Sequence, residues 1–201
     1  MFITFEGVDW SGKSTQAGLL AEWLSDEGRR VLLTREPGGT PVAEAVRDVV
    51  LHGHDMTPWA EAALYAAARA DHVEHAIRPA LERGEDVVCD RYIDSSVAYQ
   101  GIGRGLGEDR VRELNLLVTR GLLPDRTFLV LLDPEEARRR GAGQPDRIER
   151  EGDEFWRRVD DGFRGLAASF PERIVTVDGS RSPDDIAEEV REHVRGLLRA
   201  S

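Results

Sequence analysis

A β-type run, Phe2-Ile3-Thr4-Phe5, feeds directly into Gly7-Val8-Asp9-Trp10-Ser11-Gly12-Lys13-Ser14, which fits the pattern G-x-x-x-x-G-K-[ST]. Each residue type in that pattern serves the holding of phosphate. Gly7 and Gly12 let the backbone turn tightly enough for successive N–H groups to face one anion-sized hollow. Lys13 would set an ammonium on the β- and γ-phosphates and Ser14 a hydroxyl on Mg²⁺, with the positive end of the following helix behind them. The context agrees, because a strand precedes and Leu19, Leu20, Trp23 and Leu24 mark an amphipathic helix after it. Nucleotide binding through Gly7 to Thr15 is the primary expectation. Lys13 is also the only lysine among 27 Lys and Arg residues, at the one place where a compact ammonium suits better than a guanidinium fork.

With 201 residues the chain is expected to form a single domain, 1–201, with enough length to bury a real core. A net charge of −11 argues against general affinity for nucleic acid or an anionic membrane, so anionic substrates require arginine gathered locally. The one cysteine, Cys89, lies in an apolar run and reads as a core residue. No apolar run reaches the roughly 18 residues of a membrane span, and the opening strand does not read as a signal peptide. A cytoplasmic protein is expected.

Strand-like and helix-like stretches alternate along the chain. Arg30 to Thr34 reads as a buried strand and Thr40-Pro41 as a helix start. Thr57-Pro58 opens a long Ala-rich helix to Glu82, bent where Pro79 interrupts it, whose small residues suit close packing on the sheet or on another subunit. Further strands are expected over Glu85 to Cys89, Arg126 to Leu132 and Arg173 to Val177, and helices over Glu108 to Arg120, Pro134 to Arg140, Asp153 to Ser169 and Pro183 to Arg199. Gly141 to Pro145 reads as a mobile loop within a small lid of about residues 137–152. The result is an α/β, doubly wound fold with a five-stranded, mainly parallel sheet flanked by helices, of the P-loop NTPase type.

In such folds ligands bind beyond the carboxyl ends of the strands, which here end in charged residues. Arg35 and Arg91 either converge as forks on a second phosphate or pair with their neighbours Glu36 and Asp90. Asp90, closing an apolar strand, is placed to hold magnesium through water. Asp9 inside the phosphate loop is either functional, offset by a cation or a sugar hydroxyl, or an Asx turn that orders the loop. Arg138-Arg139-Arg140, the Gly/Pro loop and Asp146-Arg147 resemble a closing lid more than a solvated face paired with Glu135 and Glu136. The five histidines are too scattered for a metal site, and His72 and His75 read as surface residues.

Taken in order, FEGVDWSGKSTQ, TREPGGT, Leu64 to His72, DRYIDSSVAYQGIGRG, LLPDRTFLVLLDPEEARRRG, DRIE and VDGS resemble the thymidylate kinases, P-loop nucleoside monophosphate kinases that phosphorylate dTMP with ATP. The resemblance covers nearly the whole chain. It implies that Gly7, Val8, Asp9, Trp10, Ser11, Gly12, Lys13, Ser14 and Thr15 bind ATP phosphates and Mg²⁺, with Asp9 near the sugar hydroxyl or the metal. It implies that Arg35, Arg69 and Arg91, with Glu36, gather around the dTMP phosphate and base. Tyr65 would stack on thymine, Ser96 and Gln100 would lie at the base edge, Tyr99 would crowd the sugar against ribose, and Glu149 would lie near the acceptor sugar. Arg140 and Arg147 would belong to the lid, one near adenine and one near the transferred phosphoryl group. Many relatives carry an arginine where this chain has Trp10, so the resemblance is to the bacterial subtype with lid arginines, and leaves the acting one open among Arg138, Arg139, Arg140 and Arg147. A homodimer is also implied.

The expected reaction is in-line transfer of the γ-phosphoryl group of ATP to dTMP, in dTTP biosynthesis, with Lys13, Mg²⁺, Arg91 and a lid arginine neutralising charge and no general base. The alternatives are a kinase for another nucleoside monophosphate, or a non-catalytic nucleotide switch. A GTPase switch should carry N-K-x-D, which is absent.

Overall fold

The computed structural model describes residues 1–141 and 146–200, so of the expected mobile loop only Gly141 lies among the described residues and 142–145 lie outside them. Strands β1 (Phe2–Glu6), β2 (Val31–Arg35), β3 (Asp86–Asp90), β4 (Arg126–Leu131) and β5 (Ile174–Asp178) form a fully parallel sheet in the order β2-β3-β1-β4-β5. Its two faces carry separate apolar cores, as the side-chain alternation of a strand requires. Ile3, Phe5, Val88, Phe128 and Val130 pack under helices α1 (Lys13–Asp26) and α9 (Pro183–Ala200). Phe2, Val87, Cys89 and Leu129 pack on the other side against Tyr92, Val97, Phe155, Phe163 and Leu166. Cys89 is buried, as expected of a small core residue.

Strand β2 differs from the buried strand expected. It is the sheet edge, and Leu33 is half exposed, because nothing pairs beyond it among the described residues. Two helices follow it, α2 (Pro41–His52) and α3 (Pro58–His72), each with a threonine cap, Thr40 or Thr57, and proline at its first position. The Ala-rich helix does run on to Glu82, but the irregularity falls before Pro79 rather than at it. Val73–Ile77 is π-helical, with the Arg78 N–H bonding the Val73 carbonyl five residues back, and α4 (Arg78–Glu82) continues the run. Widening the turn accommodates a proline that has no N–H and crowds the carbonyl four residues before it.

Of the pair expected on the surface, His75 is exposed but His72 is fully buried. His72 Nε2 lies 2.8 Å from Thr34 Oγ1 and Nδ1 lies 3.0 Å from Glu36 Oε1, so the α3 face that carries it packs on the end of β2. Gly39 makes this approach possible, since a Cβ there would sit 2.4 Å from His72 Nε2.

After β3 come α5 (Ile93–Ser96), a second π-helical stretch Val97–Gly103, and α6 (Glu108–Val118); after β4 come α7 (Pro134–Arg140) and α8 (Asp153–Ser169). The connection from β1 leaves toward β2 and that from β3 toward β4, so neighbouring strands β1 and β3 part company at their carboxyl ends. That is where a ligand crevice forms in such sheets. Among the described residues no helix is long and apolar enough to cross a membrane.

Candidate active site

The loop between β1 and α1 adopts the conformation its glycines were expected to allow. Gly7 has φ 137°, and a Cβ there would lie 2.5 Å from the Val130 carbonyl oxygen, so no other residue fits. Gly12, at φ 103°, precedes α1. Lys13 is buried and donates to the Val8 carbonyl at 2.7 Å. Burial, with the Arg91 charge adding to it, lowers its ammonium to about 8. Ser11 Oγ, buried with no hydrogen-bond partner among the described residues, lies in the same loop.

The Ser14 hydroxyl donates to Asp90 Oδ2, joining the start of α1 to the end of β3. Asp90 Oδ1 is buried and has no hydrogen-bond partner among the described residues. Two adjacent hard oxygens, one with a free lone pair, fit a magnesium ion that takes its other ligands from phosphates and water. The described residues hold no cluster of three or more His, Cys, Asp or Glu that would cage a metal without such help.

A cleft opens beside this loop, enclosing about 560 Å³ with its mouth included, within the usual size of a small-molecule site. Asp9, Glu36, Tyr65, Arg69, Arg91, Ser96, Tyr99 and Gln100 line it, which brings together eight residues expected from the sequence. Arg91, with φ 70°, is the hinge between loop and cleft. Its guanidinium donates to Asp9 Oδ1 at 2.6 Å, Gly7 O at 3.0 Å, Ser95 Oγ at 2.9 Å and Tyr99 Oη at 3.2 Å. Asp9 is thus an ion-pair partner of Arg91 rather than a local turn former. Burial works against its charge, but Arg91 and Lys13 outweigh it and hold the carboxyl below the usual range. Tyr99 is aimed by its ring, which meets Phe155, Trp156 and Phe163 edge to face, and its hydroxyl reaches Asp9 Oδ2 at 3.3 Å.

Arg69 forms the floor. It is buried and donates to Glu36 Oε2 at 2.6 Å, Ser96 Oγ at 2.9 Å, the Tyr92 carbonyl at 3.0 Å and Asn115 Oδ1. Tyr65 closes one wall, and burial raises its phenol. Gln100 Nε2 donates to Glu61 Oε1 at 2.9 Å.

Several expected residues lie elsewhere. Arg35 turns out to Glu44 rather than to its neighbour Glu36, 3.0 Å from both carboxylate oxygens, and does not line the cleft. Arg47, one helical stretch later on α2, supplies a cleft cation in its place. Arg147 is buried, donating to Glu61 Oε2 at 2.7 Å and the Val50 carbonyl at 2.9 Å, so it is held in the body of the fold. Arg140 stays beside the phosphate loop: it donates to the Gly179 carbonyl at 3.1 Å, and a Cβ on Gly179 would lie 3.2 Å from Ser11 O. Arg138 pairs with Asp153 and Arg139 with Glu136. Glu149 accepts from the Trp10 indole at 3.1 Å and is not among the cleft-lining residues.

The sequence assigns no role to Glu61, Ser95 or Asn115, and to Glu6 only its place at the end of the first strand. Glu6, at the end of β1, is buried and accepts from Tyr92 N at 2.8 Å and from the Ser95 hydroxyl. Burial, reinforced by the Asp94 charge, raises its carboxyl to about 8. The only signal was an acidic residue in an otherwise apolar strand. For Asn115 and Glu61 there was none, since helical polar residues read as solvent-facing until packing is known.

The family model described as thymidylate kinase matches residues 5–190. A thymidylate kinase of Clavibacter michiganensis subsp. michiganensis is 50% identical over 205 residues, covering 100% of this chain and 97% of that one. One from an Exiguobacterium species is 51% identical over 197 residues, covering 96% of this chain and 93% of that one. The crystal structure of thymidylate kinase from Ehrlichia chaffeensis superposes with a TM-score of 0.81 at 36% identity, over 97% of this chain and 98% of that one. Phosphate loop, adjoining cleft and whole-length similarity agree: this chain belongs to the thymidylate kinase family.

Proposed function

We propose that the protein transfers the γ-phosphoryl group of ATP to dTMP, giving dTDP and ADP. The observation that carries this reading is Arg91, whose guanidinium borders both the phosphate loop, through Gly7 O, and the cleft, through Tyr99. ATP phosphates would lie on Gly7 to Thr15 with Lys13 turned from Val8 O onto them and Arg140 beside the loop. The dTMP phosphate would meet Arg91 and Arg47, with thymine between Tyr65 and the Arg69–Ser96 floor.

The acceptor oxygen is already ionised near neutral pH, since a phosphate monoester has its second pKa at about 6. It attacks the γ-phosphorus as the bond to the bridging oxygen breaks, and ADP leaves with that electron pair, so no general base is required. Mg²⁺ held at Ser14 and Asp90 would offset phosphate charge. Lys13, Arg91 and Arg140 orient the reactants and stabilise the charge on the transferring group. Arg35, Arg147 and Glu149 act from outside the cleft, Arg147 by holding Glu61.

The chain is read as one kinase domain with a lid near residues 137–152, working in the cytoplasm. It is also read as a homodimer, supported by the exposed Val42 and Val49 of α2 and Trp59 of α3 on adjoining helices. Static light scattering checks the dimer. A panel of nucleoside monophosphates, with ADP release as readout, checks the substrate. The reading requires the highest kcat/KM with dTMP; preference for AMP, CMP or GMP would overturn it.

A further inference from the structure

Trp10 occupies an unusual position in the phosphate loop. Its backbone is left-handed, with φ 65°, a conformation that a bulky residue adopts only when its surroundings hold it there. Its side chain is 44% exposed, so burial in a core does not explain that hold. The indole touches both stems of the segment between α7 and α8. On one side its Nε1–H donates to Glu149 Oε1 at 3.1 Å. On the other it packs on Gly141, where a Cβ would lie 3.0 Å from Nε1.

Each stem is fixed beyond that contact. Glu149 Oε2 accepts the Asp146 N–H at 2.9 Å, and the neighbouring Arg147 N–H bonds the Leu51 carbonyl at 3.1 Å. Gly141 follows Arg140, which bonds the Gly179 carbonyl.

We propose that Trp10 is a positioning residue for phosphoryl transfer: by holding Glu149 and Gly141 together, it sets the end of α7, and with it Arg140, against the phosphate loop. The inference rests on the kinase reading given above. A ring that met only one stem would order a surface contact. Meeting both couples the loop that binds the donor to the segment that supplies the nearby cation. Reaction geometry is sensitive to displacements of about 1 Å, so the effect belongs in turnover more than in binding.

The test compares wild type, Trp10→Phe, which keeps a ring and loses the donor, and Trp10→Gly, which suits the left-handed backbone and loses the side chain. We expect kcat to fall about tenfold in Trp10→Phe, the worth of one hydrogen bond to a charged acceptor, with both KM values within about twofold. Trp10→Gly should lose at least as much despite its relaxed backbone. In a Glu149→Ala background, Trp10→Phe should cost nothing further. Trypsin should cleave after Arg138, Arg139 or Arg140 several times faster in both Trp10 variants. A kcat for Trp10→Phe within twofold of wild type, losses that multiply with Glu149→Ala, or unchanged cleavage would overturn the proposal. If wild type fails to phosphorylate dTMP, the kinase reading falls instead, and the cleavage rates still judge the contact.

Discussion

The Asp9 carboxylate grips the Arg91 guanidinium, Oδ1 to Nη2 at 2.6 Å, across the gap between the loop after β1 and the loop after β3. The pair joins two segments 82 residues apart in the chain. The Asp9 charge orients the guanidinium fork at the border of loop and cleft.

Arg91→Ala should lower kcat/KM for dTMP by about a thousandfold, the scale of losing a transition-state arginine in phosphoryl transfer. Arg91→Lys should recover little, because a single ammonium cannot bond Asp9, Gly7 and Ser95 as the fork does. Steady-state ADP release measures both.

Lys13 should set the upper pH limit for ATP capture. Its ammonium is lowered to about 8 by burial and by Arg91, so the free enzyme loses this charge as pH rises through 8. Bound phosphates favour the charged form, so kcat/KM for ATP should fall above pH 8 while kcat at saturating ATP holds further up. Parallel pH profiles for the two parameters check this.

Glu6 should make stability depend on pH. Its carboxyl is raised from 4.5 to about 8 in the fold, mainly by burial. Between those values the folded chain keeps a proton that the unfolded chain has released. Its contribution is therefore full below pH 4.5 and is lost as pH rises through 8. Glu6→Gln imitates the protonated form, so the Tm difference between variant and wild type should shift in the variant's favour from pH 5 to 8. Calorimetry across that range provides the measurement.

Arg140 and Arg147 should separate turnover from stability. Arg147→Ala removes one partner of a buried pair with Glu61 and should cost about 3 kcal/mol in urea unfolding. Arg140 is partly exposed and bound to a single carbonyl besides Glu136, so Arg140→Ala should unfold like wild type yet lose turnover.

Much of this site was legible in local sequence because the relevant signals are local. Gly7 and Gly12 specify a backbone path, Lys13 and Ser14 follow on adjacent positions, and Asp90 closes an apolar strand. The strands themselves announced a parallel sheet through continuous apolar runs such as Phe128-Leu129-Val130. What stayed hidden was direction across space. Arg35 and Arg47 are both arginines near the same loop, and only the rotation of α2 decides that Arg47 faces the cleft while Arg35 meets Glu44. Arg147 reads as a lid cation until Glu61, 86 residues earlier, is found beside it. His72 reads as surface until Gly39 lets β2's loop close over it.

The most direct measurement is ³¹P NMR of dTMP and ATP incubated with the protein and Mg²⁺. The account predicts that the dTMP resonance is replaced by the two coupled phosphorus signals of dTDP, with one ADP formed for each dTDP. Consumption of ATP to ADP and free phosphate with dTMP unchanged, or no consumption at all, would contradict it.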